Sequence, residues 1–142
     1  MAGASVLMDS AGFLALWDAS DSFHRSAVQL QGELIRKHCR FFVTDYVVDE
    51  TATLLRIRHS HSVAVDFLDT VERSESLHLE WMTPERFDAA AALFRKYSDK
   101  EWSFTDCVSF VTMRELRIRE AFSTDHHFEQ AGFVPLLKRR PR

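Results

Sequence analysis

Apolar residues follow two alternating rhythms along the chain. Short unbroken apolar runs are separated by longer stretches in which apolar side chains recur every three or four positions. The runs at Ser5–Met8, Arg40–Thr44, Leu77–Met82 and Glu120–Ser123, with a weaker one at Phe133–Leu137, read as strands. The longer stretches read as helices. These span Ala11–Trp17, Asp21 or Ser22 to about Lys37, Asp45 to about His59, and Ser62–Arg73. Further helices run from Thr83-Pro84 to about Tyr97, from Thr105 to Leu116, and briefly from His126 to Ala131. Local chemistry supports the boundaries. Thr83 is a good N-cap with Pro84 in the first turn, Asp45 can cap its helix, and Gly132 is a stop signal. Strands separated by helices predict an α/β fold with a parallel sheet covered on both faces. In such sheets the functional cleft lies at the carboxyl ends of the strands.

Composition narrows the class. A chain of 142 residues with 46% hydrophobic and 27% charged content suits one soluble domain, expected over residues 1–137. Lys138, Arg139, Arg140 and Arg142 form a basic tail over 138–142, and the net charge is −3. Cys39 and Cys107 have no CxxC neighbour, which disfavours zinc; reduced thiols are expected, with a cytoplasmic location. The N-terminus lacks a basic signal-peptide region, and no apolar run is long enough to span a membrane.

Candidate chemistry resides in four acids. Asp9 follows the first strand, Asp125 follows the fourth, Glu50 lies beside the apolar face of its helix, and Asp106 sits at a helix start. Each has a structural alternative. Glu50 can reach solvent at the edge of its stripe. Asp106 fits a capping box with Ser103, Asp125 fits an N-cap, and Asp9 fits a turn. Gathered at one sheet edge they would repel one another unless cations held them, and oxygen ligands select Mg²⁺ or Mn²⁺ over zinc. Hydrolysis of a phosphodiester is the chemistry such a site serves. The adjacent pair His126-His127 is expected to point two ways and not to chelate one ion. Arg56 and Arg114, with the tail, are candidates for backbone phosphates, and Trp102 for a nucleobase. Phe13, Leu16, Trp17, Phe104 and Phe110 are expected in the core.

The ordered set of motifs resembles the PIN-domain ribonucleases, and within them the VapC-type toxins. Val6-Leu7-Met8-Asp9-Ser10 with Phe13-Leu14-Ala15-Leu16 resembles the opening motif, and Asp21-Ser22-Phe23-His24 with Ala27 a segment common in the toxins. Val47-Val48-Asp49-Glu50-Thr51 and Ser103-Phe104-Thr105-Asp106-Cys107 resemble the second and third acidic motifs. Phe122-Ser123-Thr124-Asp125, with Phe128 and Ala131-Gly132-Phe133, resembles the fourth. The resemblance implies a three-layer α/β/α sandwich with a largely parallel sheet. It implies an acidic quartet of Asp9, Glu50, Asp106 and Asp125, with Asp9 and Asp106 as the principal Mg²⁺ (or Mn²⁺) ligands. Ser10 and Ser123 would supply hydroxyls that position a carboxylate or water. It further implies RNA cleavage, a homodimer and restraint by a small antitoxin. The alternatives are a binding module of the same fold for RNA or protein, or a PIN nuclease of RNA processing without an antitoxin. A phosphatase or receiver domain fits poorly, because position 11 is Ala and Thr83-Pro84 follows the third strand.

Overall fold

Each strand is an apolar run that stops where a helix-starting residue takes over, and this alternation sets the architecture. The computed structural model describes residues 4–137, so the basic segment 138–142 lies outside the described residues. In chain order the elements are β1 (Ser5–Met8), α1 (Ser10–Trp17), α2 (His24–Arg36), β2 (Arg40–Thr44), α3 (Asp45–Arg58) and α4 (His61–Arg73). There follow β3 (Leu77–Glu80), α5 (Pro84–Lys96), α6 (Phe104–Leu116), β4 (Glu120–Phe122), α7 (His127–Gln130) and β5 (Val134–Pro135).

The five strands form one sheet in the order β3-β2-β1-β4-β5, and every pairing is parallel. Side chains alternate across β1. Val6 and Met8 enter one apolar cluster with Phe13, Val47, Leu55 and Phe67, whereas Leu7 enters another with Leu93, Phe110 and Phe128. The sheet is thus covered on both faces, by α1–α4 chiefly on one side and α5–α7 on the other, as expected of a three-layer sandwich. The strand order reverses direction at β1. The crevice between the carboxyl ends of β1 and β4 is therefore the switch point where such sheets bind ligands. Among the described residues no helix is long and apolar enough to cross a membrane.

The structure moves several sequence-predicted boundaries for local reasons. Asp21 does not start α2; its Oδ1 accepts from the Phe23 amide at 2.8 Å, a turn that delays the helix to His24. Thr44, not Asp45, caps α3, accepting from the Val47 amide at 3.2 Å. Asp45 instead accepts from the amides of Tyr46 and Met82, at 3.1 and 3.2 Å, joining the β2–α3 corner to the end of β3. β3 therefore stops at Glu80, and β5 shortens to two residues. Phe104 is half-buried rather than core, with its ring against Tyr46, Phe87 and Phe94.

One close approach fixes α1 against β4. A Cβ built on Gly12 would stand 2.0 Å from the Phe122 carbonyl oxygen, so no larger residue fits without moving helix or strand. The nearest neighbour of a Cβ on Gly32 is the end of the flexible Arg36 side chain, at 3.4 Å. Gly12→Ala is expected to destabilise the fold by roughly 1–3 kcal/mol or more. Gly32→Ala, inside helix α2, should be neutral or stabilising by up to about 1 kcal/mol. Chemical denaturation checks both, and equal stability of the two variants would refute the close approach.

Candidate active site

The acids reach the switch point by different routes. Asp9 is the first residue past β1 and the N-cap position of α1, but its side chain makes no capping bond. Its amide donates to the Phe122 carbonyl at 3.3 Å, which ties it to the end of β4. The Ser123 hydroxyl, one residue past β4, donates to Asp9 Oδ2 at 2.7 Å. That same hydroxyl oxygen accepts from the Asp125 amide at 3.0 Å, which sets the turn carrying the next acid. Asp125 Oδ1 then accepts from the His127 amide at 2.9 Å, an Asx turn that leads into the short helix α7, whose N-cap is His126. Asp9 is 4% exposed and Ser123 fully buried, so this part of the network is shielded from water.

Asp106 does two jobs at once. Its amide donates to Ser103 Oγ and its Oδ2 accepts from the Ser103 amide, each at 3.0 Å, completing the capping box of α6. The same Oδ2 lies 3.1 Å from His127 Nδ1, which also lies 3.3 Å from Asp125 Oδ1. Glu50 stands on α3, partly buried rather than free in solvent, and takes a hydrogen bond from the Ser10 hydroxyl.

Electrostatics shows that the carboxylates share one space. Burial pushes the Asp9 carboxyl up from 3.8 to about 7. The Ser123 hydrogen bond opposes this, and the charges of Asp106, Asp125 and Glu50 add to the rise. Asp106 is also raised, first by burial and further by Asp125, against the lowering effects of the Ser103 amide and His127. An oxygen-rich, water-poor cluster whose members raise one another's pKa fits a hard divalent cation.

The structure corrects two expectations and supplies one residue the sequence did not. The rings of His126 and His127 do not diverge; their centroids are 4.5 Å apart. Donor atoms of Asp125, His126 and His127 all lie within 4.8 Å of one another, a group able to hold a metal ion. The Asp125 turn brings both imidazoles to its carboxylate, at 3.6 and 3.3 Å, which spacing alone could not show. His127 is the missed residue, and its signal was the turn-forming aspartate two positions earlier. Trp102 is not available to a nucleobase. It is 6% exposed, packed against Tyr97 and Phe110, and its indole N–H donates to Gln130 Oε1 at 2.9 Å. The loop that carries it is polar, but the indole had an apolar cavity to fill. Arg56 is exposed on α3, six positions from Glu50 and so well round the helix from it. Arg114 is exposed in the last turn of α6, about 12 Å along the helix axis from Asp106. Among the described residues neither forms an ion pair with any of the four acids.

The Asp9 shift carries a sign. Its folded-state pKa lies above the unfolded value, so the folded chain holds a proton that the unfolded chain releases. Stability is then full below about pH 4 and lost as pH rises through about 7, by an amount on the order of 4 kcal/mol. Without divalent cations, Asp9→Asn should be more stable than the parent at pH 8 and close to it at pH 5. Urea denaturation in EDTA at both values checks this, and a variant weaker than the parent at pH 8 would contradict it.

Comparisons with known proteins agree with this geometry. The PIN domain family model matches residues 6–134. The chain is 30% identical over 129 residues to the 23S rRNA-specific endonuclease VapC20 of Mycobacterium tuberculosis, covering 91% of this chain and 95% of that protein. It is 28% identical over 117 residues to a VapC ribonuclease of Archaeoglobus fulgidus, covering 81% and 74%. The crystal structure of the mycobacterial VapC20, described as a toxin that cleaves the sarcin–ricin loop, superposes with a TM-score of 0.86. That superposition spans 92% of this chain and 98% of the other at 29% identity.

Proposed function

We propose that this chain, which belongs to the PIN-domain family, is a divalent-metal-dependent endoribonuclease acting as a toxin. The observation that carries the reading is the buried Asp9 carboxylate at the carboxyl end of β1, held by Ser123 and raised first by burial and further by the charges of Asp106, Asp125 and Glu50. Such a cluster is costly as a purely structural feature and useful as a cation site. Asp9 and Asp106 would hold Mg²⁺ or Mn²⁺. When bound, the cation supplies Lewis acidity that activates water and neutralises charge on the departing oxygen.

The chain's own groups then position the reactants. Ser123 fixes one oxygen of Asp9. Glu50, steadied by Ser10, and Asp125, steadied by the His127 amide, would accept hydrogen bonds from the attacking water. His127 bridges Asp106 and Asp125 and keeps their oxygens from swinging apart. The substrate class proposed is RNA. The mycobacterial relative is named for 23S rRNA, and that RNA is the first substrate to try here.

The toxin role brings two further proposals, a homodimer and restraint by a small antitoxin. Large apolar residues exposed on α2, Val28 and Ile35, and on α5, Phe87 and Phe94, provide surface for both. The decisive measurement is RNA cleavage with Mg²⁺ or Mn²⁺, with and without EDTA. EDTA should abolish it, and Asp9→Asn should slow it by roughly 100-fold or more, beyond the 10–100-fold typical of groups that only support a ligand. An Asp9→Asn variant that cuts as fast as the parent would remove the assignment. Cleavage without growth arrest on expression would favour an RNA-processing role over a toxin.

A further inference from the structure

A cavity of about 260 Å³ opens beside the acid cluster, between α1, the start of α2 and the end of α3. Its polar lining comes from Ser10, Asp21, Arg58 and Thr124, and Leu54 and Phe23 form an apolar floor. Ser10 directly follows Asp9, and Thr124 directly precedes Asp125, so the cavity shares a wall with the candidate site. Glu50, Leu54 and Arg58 are spaced four apart and form one stripe of α3. The stripe that delivers Glu50 to the acids thus delivers Arg58 to the cavity.

Arg58 is exposed and lines this cavity, which Arg56 does not. Arg86, for comparison, is committed to Glu80 at 2.9 Å, to Glu115 at 2.6 Å and to the Trp81 carbonyl at 3.0 Å. Among the described residues Arg58 has no ion-pair partner. Its neighbour His59 lies 3.4 Å from Asp18, which joins the end of α3 to the end of α1 next to the cavity. An unpaired guanidinium beside a cluster of carboxylates is a place for a phosphate. A bare anion would not fill the site. The volume equals roughly nine waters, and the lining also offers two hydroxyls and an Asp21 carboxylate. Asp21 Oδ1 already accepts from the Phe23 amide, and its other oxygen remains as an acceptor for ribose hydroxyls or base amino groups.

We infer that this cavity receives the nucleotide next to the scissile phosphate of a single RNA strand, with Arg58 gripping its backbone phosphate. The inference rests on the ribonuclease reading above and names the subsite through which that activity holds its substrate. It also replaces Arg56 by Arg58 as the phosphate-binding residue of α3.

The test measures binding separately from cleavage. Anisotropy of a labelled single-stranded RNA about twelve nucleotides long is followed in EDTA for the parent, Arg58→Ala, Arg58→Lys and Arg56→Ala. Arg58→Ala should weaken binding about tenfold and lower the slope of log affinity against log salt by about 0.7. Arg58→Lys should recover part of the loss, and Arg56→Ala should change affinity less than about twofold. With Mn²⁺ present, Arg58→Ala should raise KM about tenfold while kcat stays within about threefold. Equal losses from Arg58→Ala and Arg56→Ala, an unchanged salt slope, or no parental binding in EDTA would overturn the subsite. If the parent fails to cut RNA but Arg58→Ala still loses tenfold in binding, the nuclease reading falls and the subsite stands. If the parent cuts RNA and Arg58→Ala binds as the parent does, the reverse holds.

Discussion

Repulsion among desolvated carboxylates at the carboxyl edge of the sheet is the constraint around which the molecule is arranged. A buried charge is tolerated only with a partner, and like charges that share a space push each other toward protonation. The surrounding polar groups answer this directly. Ser123 donates to Asp9, Ser10 to Glu50, and the Ser103 amide to Asp106, so three acids each have a donor supplied from a different element. These donors hold the carboxylates in place without neutralising them. The cation of the proposed function would complete what hydrogen bonds alone leave unfinished.

The sheet makes this convergence possible. Asp9 and Ser123 end neighbouring parallel strands, and the two strands diverge in their connections at that point. The contact of Gly12 with the Phe122 carbonyl lets α1 leave β1 close against β4, which keeps the crevice narrow. The Trp102–Gln130 bond joins the loop before α6 to α7, so the elements bearing Asp106 and His127 are fixed to one another. Small steric details far from any charge thereby set distances among charged atoms.

Much of this was legible in the residues. The strand and helix alternation, the two covered faces and the switch point all follow from periodicity, because each apolar run is bounded by capping chemistry. The four acids could be picked out because each closes a strand or lies near an apolar stripe. Other features depended on tertiary partners that no local pattern encodes. Trp102 sits in a polar loop, yet its ring had an apolar hole to enter and its N–H had Gln130 to meet. That Arg58 and not Arg56 lines the cavity turns on which side of α3 faces α1, and both sides bear partly apolar neighbours. The approach of His126 and His127 to Asp125 comes from a turn set by a serine two residues before that acid. Three alternatives that looked exclusive in the sequence, capping or chemistry at Asp106, Asp125 and Asp9, separate differently. Asp106 caps its helix and joins the cluster, Asp125 forms a turn ahead of α7 and joins it, and Asp9 occupies a cap position without capping.

The double employment of Asp106 has an implication for reading kin of this chain. A descendant that abandoned its chemistry would still need that aspartate to start a helix, since the capping box serves folding alone. No such second duty protects Asp9, whose carboxylate burdens the bare fold. Persistence of the first aspartate in a distant relation therefore says little about surviving activity. Replacement of the second by a neutral residue would mark a lineage that has traded reactivity for sturdiness.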